Sequence, residues 1–119
     1  MSYCYFEILS IFRIRKYRYM NIRQTIKQKI QEIEPNAEII LFGSRARGEA
    51  NVDSDWDILI LVSGEVSLKR EQLFRHQLFE VELMFGQAIS TFVYSKERWN
   101  KQHFVTPLYQ NIKQEGIAI

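Results

Sequence analysis

From Asn21 onward the apolar residues recur with a helical period. Ile22, Ile26, Ile30 and Ile33 fall at i, i+4, i+8 and i+11, one stripe on an otherwise polar segment. Pro35 ends it, because the residue before a proline is pushed out of the helical region. Residues 37–42 (AEIILF) then run apolar up to Gly43 and predict a buried strand. Residues 43–54 form a polar, glycine-bearing loop with room for one helical turn, and Trp56 to Val62 (WDILILV) predicts a second strand, ended by Ser63-Gly64. Ser67 can cap the next helix, where Phe74, Leu78, Val81 and Phe85 repeat at i, i+4, i+7 and i+11 before Gly86 stops it. A third strand is expected over residues 89–94 (ISTFVY), and Ser95 can cap a short helix through Trp99. Thr106-Pro107 is an N-cap followed by proline at the first helical position, predicting a last helix over 108–115, closed by Gly116. Helices alternating with short strands make this a single α+β (α/β-like) layered domain.

Composition adds limits. At 119 residues, 46% hydrophobic and 25% charged, the chain has the ordinary mix of one globular domain. Its single cysteine, Cys4, allows neither an internal disulfide nor a cysteine-based zinc site. No apolar run reaches the roughly 20 residues of a bilayer span, so a soluble cytoplasmic domain with no membrane attachment is expected. The net charge of +2 is uneven. Residues 1–20 carry Arg13, Arg15, Lys16 and Arg18 against Glu7. Residues 21–119 carry 12 basic and 13 acidic side chains, a balance of −1, which is not the footprint of a dedicated nucleic-acid binder. Residues 1–20 read as an N-terminal extension to a domain spanning 21–119. Three readings fit that extension: an ordered extra strand or helix, a membrane-surface or partner arm, or sequence upstream of the true start at Met20.

The chemistry is concentrated in residues 43–57. Asp55 and Asp57 open the second strand, where i and i+2 point to the same face, about 6–7 Å apart along the chain. Two acids leading an apolar strand repel each other unless a cation lies between them, and a hard divalent ion such as Mg²⁺ suits oxygen ligands. Upstream, Gly43-Ser44-Arg45-Ala46-Arg47-Gly48 leaves the first strand. Glycine lets backbone amides approach a ligand, Ser44 adds a hydroxyl, and Arg45 and Arg47 add guanidinium forks suited to phosphate. A glycine-serine pair after a strand is ordinarily a turn, and an isolated Asp-x-Asp is ordinarily a solvated loop feature. Together, on adjacent strands, they make a phosphate cradle facing an acid pair, the arrangement that phosphoryl or nucleotidyl transfer needs.

At these residues, LFGSRARGEANVDSDWDILILV, the chain resembles the polymerase-beta-like nucleotidyltransferase superfamily in its minimal nucleotidyltransferase (MNT) branch. The match is Gly43-Ser44, ten residues, Asp55, one residue, Asp57, and it extends over roughly residues 21–115. The resemblance implies a small mixed sheet flanked by helices, with ATP and Mg²⁺ bound. By the same match Gly43 and Ser44 would contact the β- and γ-phosphates and Asp55 and Asp57 would hold the metals; the motif fixes no role for Arg45 or Arg47, whose phosphate contact is inferred from charge and place. Stand-alone MNT proteins are similar to antitoxins of HEPN-domain toxins. The implied reaction is transfer of AMP from ATP to a tyrosine of such a partner. The resemblance also implies a third carboxylate on a later strand, yet residues 89–94 contain none. That departure opens a second reading, a catalytically weak module that neutralises its partner by binding. A third is a transferase acting on a small hydroxyl compound of the aminoglycoside type, for which the chain has no added substrate domain.

The remaining residues carry weaker signals. Glu80 and Glu82 read as a solvated helix face, Asp53 as a turn or cap residue, His76 as surface or packing, and His103 as a loop residue able to reach the site. Trp99, Phe104 and Tyr109 can pack the core or stack on a base. Leu73, Leu83 and Met84 widen the apolar surface of their helix beyond one stripe, enough for a partner or self-association face.

Overall fold

The computed structural model describes residues 20–102 and 105–119; residues 1–19 of the N-terminal extension, His103 and Phe104 lie outside them. Helix α1 (Ile22–Ile33) begins with a reciprocal cap. Asn21 Oδ1 accepts from the Gln24 N–H at 2.9 Å, and Gln24 Oε1 accepts from the Asn21 N–H at 3.0 Å. Strand β1 (Glu38–Phe42) leads through Gly43 into the four-residue helix α2 (Ser44–Arg47), the single turn for which the loop has room. Strand β2 (Trp56–Val62) and helix α3 (Leu68–Phe85) occupy the segments their periodicities predict. Ser67 accepts from the Arg70 N–H at the start of α3, and Gly86 ends it. Strand β3 (Ile89–Ser95) runs into α4 (Lys96–Gln102), and Thr106 caps α5 (Pro107–Glu115).

A final strand, β4 (Ile117–Ala118), was not expected from the sequence. Two exposed residues hold no alternation for a pattern to detect, and the strand exists because β1 offers an edge. Gly116, expected as an ordinary helix stop, has an extended φ of −64°. A Cβ there would collide with the Ile112 carbonyl and lie 2.8 Å from Ile40 Cγ2, so glycine is needed for close approach rather than for left-handed freedom.

The sheet order is β3-β2-β1-β4 and the sheet is mixed: β2 and β3 are parallel, the other pairs antiparallel. The parallel pair is joined by α3, the long connection that such pairing requires. Alternation then sorts side chains to two faces. Ile39, Leu41, Trp56, Ile58, Ile60, Val62 and Val93 pack against Ile22, Ile26 and Ile30 of α1 and Phe74, Leu78 and Val81 of α3. Phe42, Leu59 and Leu61 face the other way, onto Trp99 and Ile112 of α4 and α5. Each fully buried branched side chain contributes about 1.5–3 kcal/mol. The result is helix, sheet, helix, three layers deep.

Two expectations on α3 change. Glu80 and Glu82 are not a solvated face: Glu80 pairs with buried Lys29 of α1 at 3.0 Å, and Glu82 Oε1 accepts from the Ile89 N–H at 2.7 Å. Met84 packs against the core, whereas Leu73, Phe79 and Leu83 are exposed. His76 lies on the surface. No helix among the described residues is long and apolar enough to cross a membrane.

Candidate active site

Register places the acid pair. Phe42 is paired with Asp57 across β1 and β2, and Asp57 with Ser90 across β2 and β3, so the last residue of β1, Asp57 and Ser90 share one face at one end of the sheet. Asp55 just precedes β2 and is exposed; Asp57 is half-buried. Ser90 Oγ donates to Asp55 Oδ2 at 3.3 Å. Burial pushes the Asp57 carboxyl above the ordinary range, the Asp55 charge adds to it, and the Arg47 charge opposes both. An acid with raised proton affinity beside a second acid is a place where a divalent cation relieves a real cost. The pair therefore fits such an ion, with a nucleotide's phosphate oxygens needed to complete its ligands. Among the described residues there is no group of three or more His, Cys, Asp or Glu side chains that could hold a metal alone.

Gly43 is the closest approach in the site. Its φ of 75° is left-handed, and a Cβ added there would land on Asp57 Oδ2. The α2 turn is closed from this residue: Ala46 and Arg47 donate their N–H groups to the Gly43 carbonyl at 3.0 and 3.1 Å. The Gly43 N–H itself donates to Glu115 Oε1 at 3.0 Å. Glu115 Oε2 accepts from Arg47 Nη1 at 2.9 Å, and Arg47 also holds Glu49 at 3.0 Å. These partners hold the Arg47 guanidinium in its charged form and pull the Glu115 carboxyl below its usual range, Arg47 being the main cause.

The two arginines separate in role. Arg45 does not face the acids with Arg47; its guanidinium donates to the Ser54 carbonyl at 2.8 and 3.0 Å and to the Asn51 carbonyl at 3.3 Å, and lies 4.5 Å from the Trp56 ring centre. It shapes the loop that delivers Asp55. Asp53 sits in that loop on an Asx turn, its N–H donating to Asn51 Oδ1 at 2.8 Å. Trp99 is core, its ring tilted against those of Tyr94 and Tyr109 with centroids 5.3 and 5.2 Å away. Beside it a cavity of about 260 Å³, lined by Ile40, Trp99, Tyr109, Ile112 and Lys113, opens on the Asp57 side of the sheet.

Glu115 is the residue that sequence reasoning missed. One signal was available: a carboxylate in the last turn of a helix opposes the helix dipole and calls for a compensating partner elsewhere.

A model of the nucleotidyltransferase domain matches residues 22–119. The chain belongs to the nucleotidyltransferase domain family. It is accordingly a nucleotidyltransferase, and the Gly43-Ser44 and Asp55-x-Asp57 arrangement lies within the matched span. A Methanocaldococcus jannaschii protein described as a protein adenylyltransferase is 33% identical over 88 residues, covering 74% of this chain and 83% of its own. Three solved structures share the nucleotidyltransferase fold. One is a toxin–antitoxin with AMP-PNP (18% identity, TM-score 0.53, 77% of this chain and 70% of that one). Another is a mutant of the toxin–antitoxin MntA–HpeT, with two aspartates two positions apart changed to glutamate (15%, 0.57, 83% and 71%). The third is a minimal nucleotidyltransferase (21%, 0.54, 85% and 98%).

Proposed function

We propose that this nucleotidyltransferase is an antitoxin that uses ATP and Mg²⁺ to adenylylate a tyrosine of a HEPN-type toxin partner. The observation that carries the reading is the apposition of Gly43 and Asp57, which puts an anion-accepting amide against a metal-seeking acid pair. The similarity to a protein adenylyltransferase supports a protein acceptor, and the likeness to toxin–antitoxin structures supports the context. The substituted aspartates of the MntA–HpeT mutant have the spacing of Asp55 and Asp57.

In this reading Asp55 and Asp57 hold the divalent ion, which when bound neutralises their repulsion and offsets charge on the phosphates. Gly43 and Ser44 hold the triphosphate's terminal phosphates, with Arg47 as the nearby guanidinium. Arg45 keeps the 48–55 loop in the shape that sets Asp55 beside Asp57. The acceptor hydroxyl forms a bond to the α-phosphorus, the bond from that phosphorus to the β-phosphate bridging oxygen breaks, and pyrophosphate leaves with the electron pair. The hydroxyl proton passes to solvent. The products are an AMP–tyrosine ester, pyrophosphate and a proton.

One observation favours the binding-only reading: β3 brings Ser90, not a carboxylate, beside Asp57. Co-expression separates the two. If the protein with D55N and D57N no longer protects cells from the partner toxin, chemistry or metal binding is required. If protection is undiminished, contact alone suffices and the adenylylation reading fails.

A further inference from the structure

The donors assigned above to the triphosphate already have an anion on them. Gly43 has a single N–H, and Glu115 Oε1 takes it at 3.0 Å; Glu115 Oε2 takes Arg47 Nη1 at 2.9 Å. One carboxylate thus bridges a backbone amide and a guanidinium, as two oxygens of one phosphate would. Resting on the reading that Gly43 and Arg47 serve the triphosphate, we infer that Glu115 is a built-in competitor for the phosphate cradle, and that its carboxylate must leave before nucleotide can bind there.

Several observations point to a displaceable contact rather than a fixed strut. Glu115 stands at the end of α5, where the helix's exposed carbonyls disfavour negative charge, so nothing in its own element calls for an acid. It is also near enough to Asp57 for the two charges to repel. The cradle's donors are what hold it. Arg47 keeps Glu49 as a second partner and is not stranded when Glu115 departs. The Glu115 side chain retains 19% exposure, which gives it a way out by side-chain rotation with the backbone of α5 and β4 in place. Nor does Glu115, in this position, complete a metal site, since no three-acid group is formed among the described residues. A polyphosphate carries more charge than a carboxylate and arrives with a cation that quiets Asp55 and Asp57, so it wins the exchange, but at an affinity reduced by the occupant it displaces.

The test is calorimetric titration of the full chain and its E115A, E115Q and E115D variants with Mg²⁺·AMP-PNP, Mg²⁺·tripolyphosphate and adenosine. Glu115→Ala tightens both phosphate compounds by about ten-fold, the scale of one charge-assisted hydrogen bond, and leaves adenosine unchanged. Glu115→Asp, one methylene too short to span both donors, keeps the charge and moves the same way by less; it also serves if the alanine variant fails to fold. Equal or weaker phosphate binding in the variants overturns the inference and makes Glu115 a positioning residue for Gly43 and Arg47, with the proposed function intact. Binding by the variants alone supports it. Binding by none of the four proteins removes both the inference and the proposed function.

Discussion

At Asp57 partial burial and the neighbouring Asp55 act in one direction, both favouring the protonated carboxyl in the folded protein, with Arg47 opposing. The sign follows from linkage. A carboxyl whose folded pKa is raised contributes its stability below the ordinary aspartate range and loses it as pH rises through the raised value. Above that raised value, without a divalent ion, ionised Asp57 is therefore a net cost. Asp57→Asn is expected to raise the melting temperature of metal-free protein at pH 7 by about 2–5 °C. Added Mg²⁺ should raise it in the parent and not in the variant; scanning calorimetry with and without the ion checks both. Glu115 has the opposite sign: its lowered pKa gives stability present above the ordinary glutamate range and lost as pH falls through the folded value. Gly43→Ala combines a left-handed φ with a Cβ directed onto Asp57 Oδ2. Urea unfolding should show a loss of about 1–3 kcal/mol, and nucleotide binding should disappear.

Among the elements, those with a period were legible and those set by a neighbour were not. The isoleucine stripe of α1, the apolar run of β2 and the α3 repeat each carry their own signal, and the capping residues Ser67 and Thr106 mark where two helices begin, whereas the reciprocal Asn21–Gln24 cap of α1 emerges only in the structure. The β4 pair has no such signal, since its pairing depends on the β1 edge. The candidate site divides the same way. Gly43, Ser44, Asp55 and Asp57 lie close in sequence, so spacing reveals them. Glu115 reaches Gly43 from 72 positions away, and only the fold brings them together. The 48–55 loop is held in shape by a residue of the element before it. Arg45 ties two carbonyls and stacks on Trp56, whose Nε1 in turn donates to Gln87 Oε1 at 2.6 Å. Arg45→Ala should cost about 1–2 kcal/mol in denaturant unfolding and speed amide exchange across residues 49–55. Lysine should not restore it, lacking the planar fork.

For the whole molecule, the sheet is the organising body. One face is sealed by α1 and α3; the other is covered by α4 and α5 and carries Asp57 at its end. Gly43, Arg47, the acid pair and Glu115 thus converge where β1 and β2 meet α2 and the end of α5, with Asp55 exposed to solvent. The most direct measurement is transfer of label from α-phosphate-labelled ATP, with Mg²⁺, into proteins of an extract from the source cell shown to contain the partner toxin. The D55N/D57N double variant runs beside it. The account predicts a labelled protein band that requires Mg²⁺ and is lost in the double variant. No band from the parent protein, or an equal band from the double variant, would contradict it.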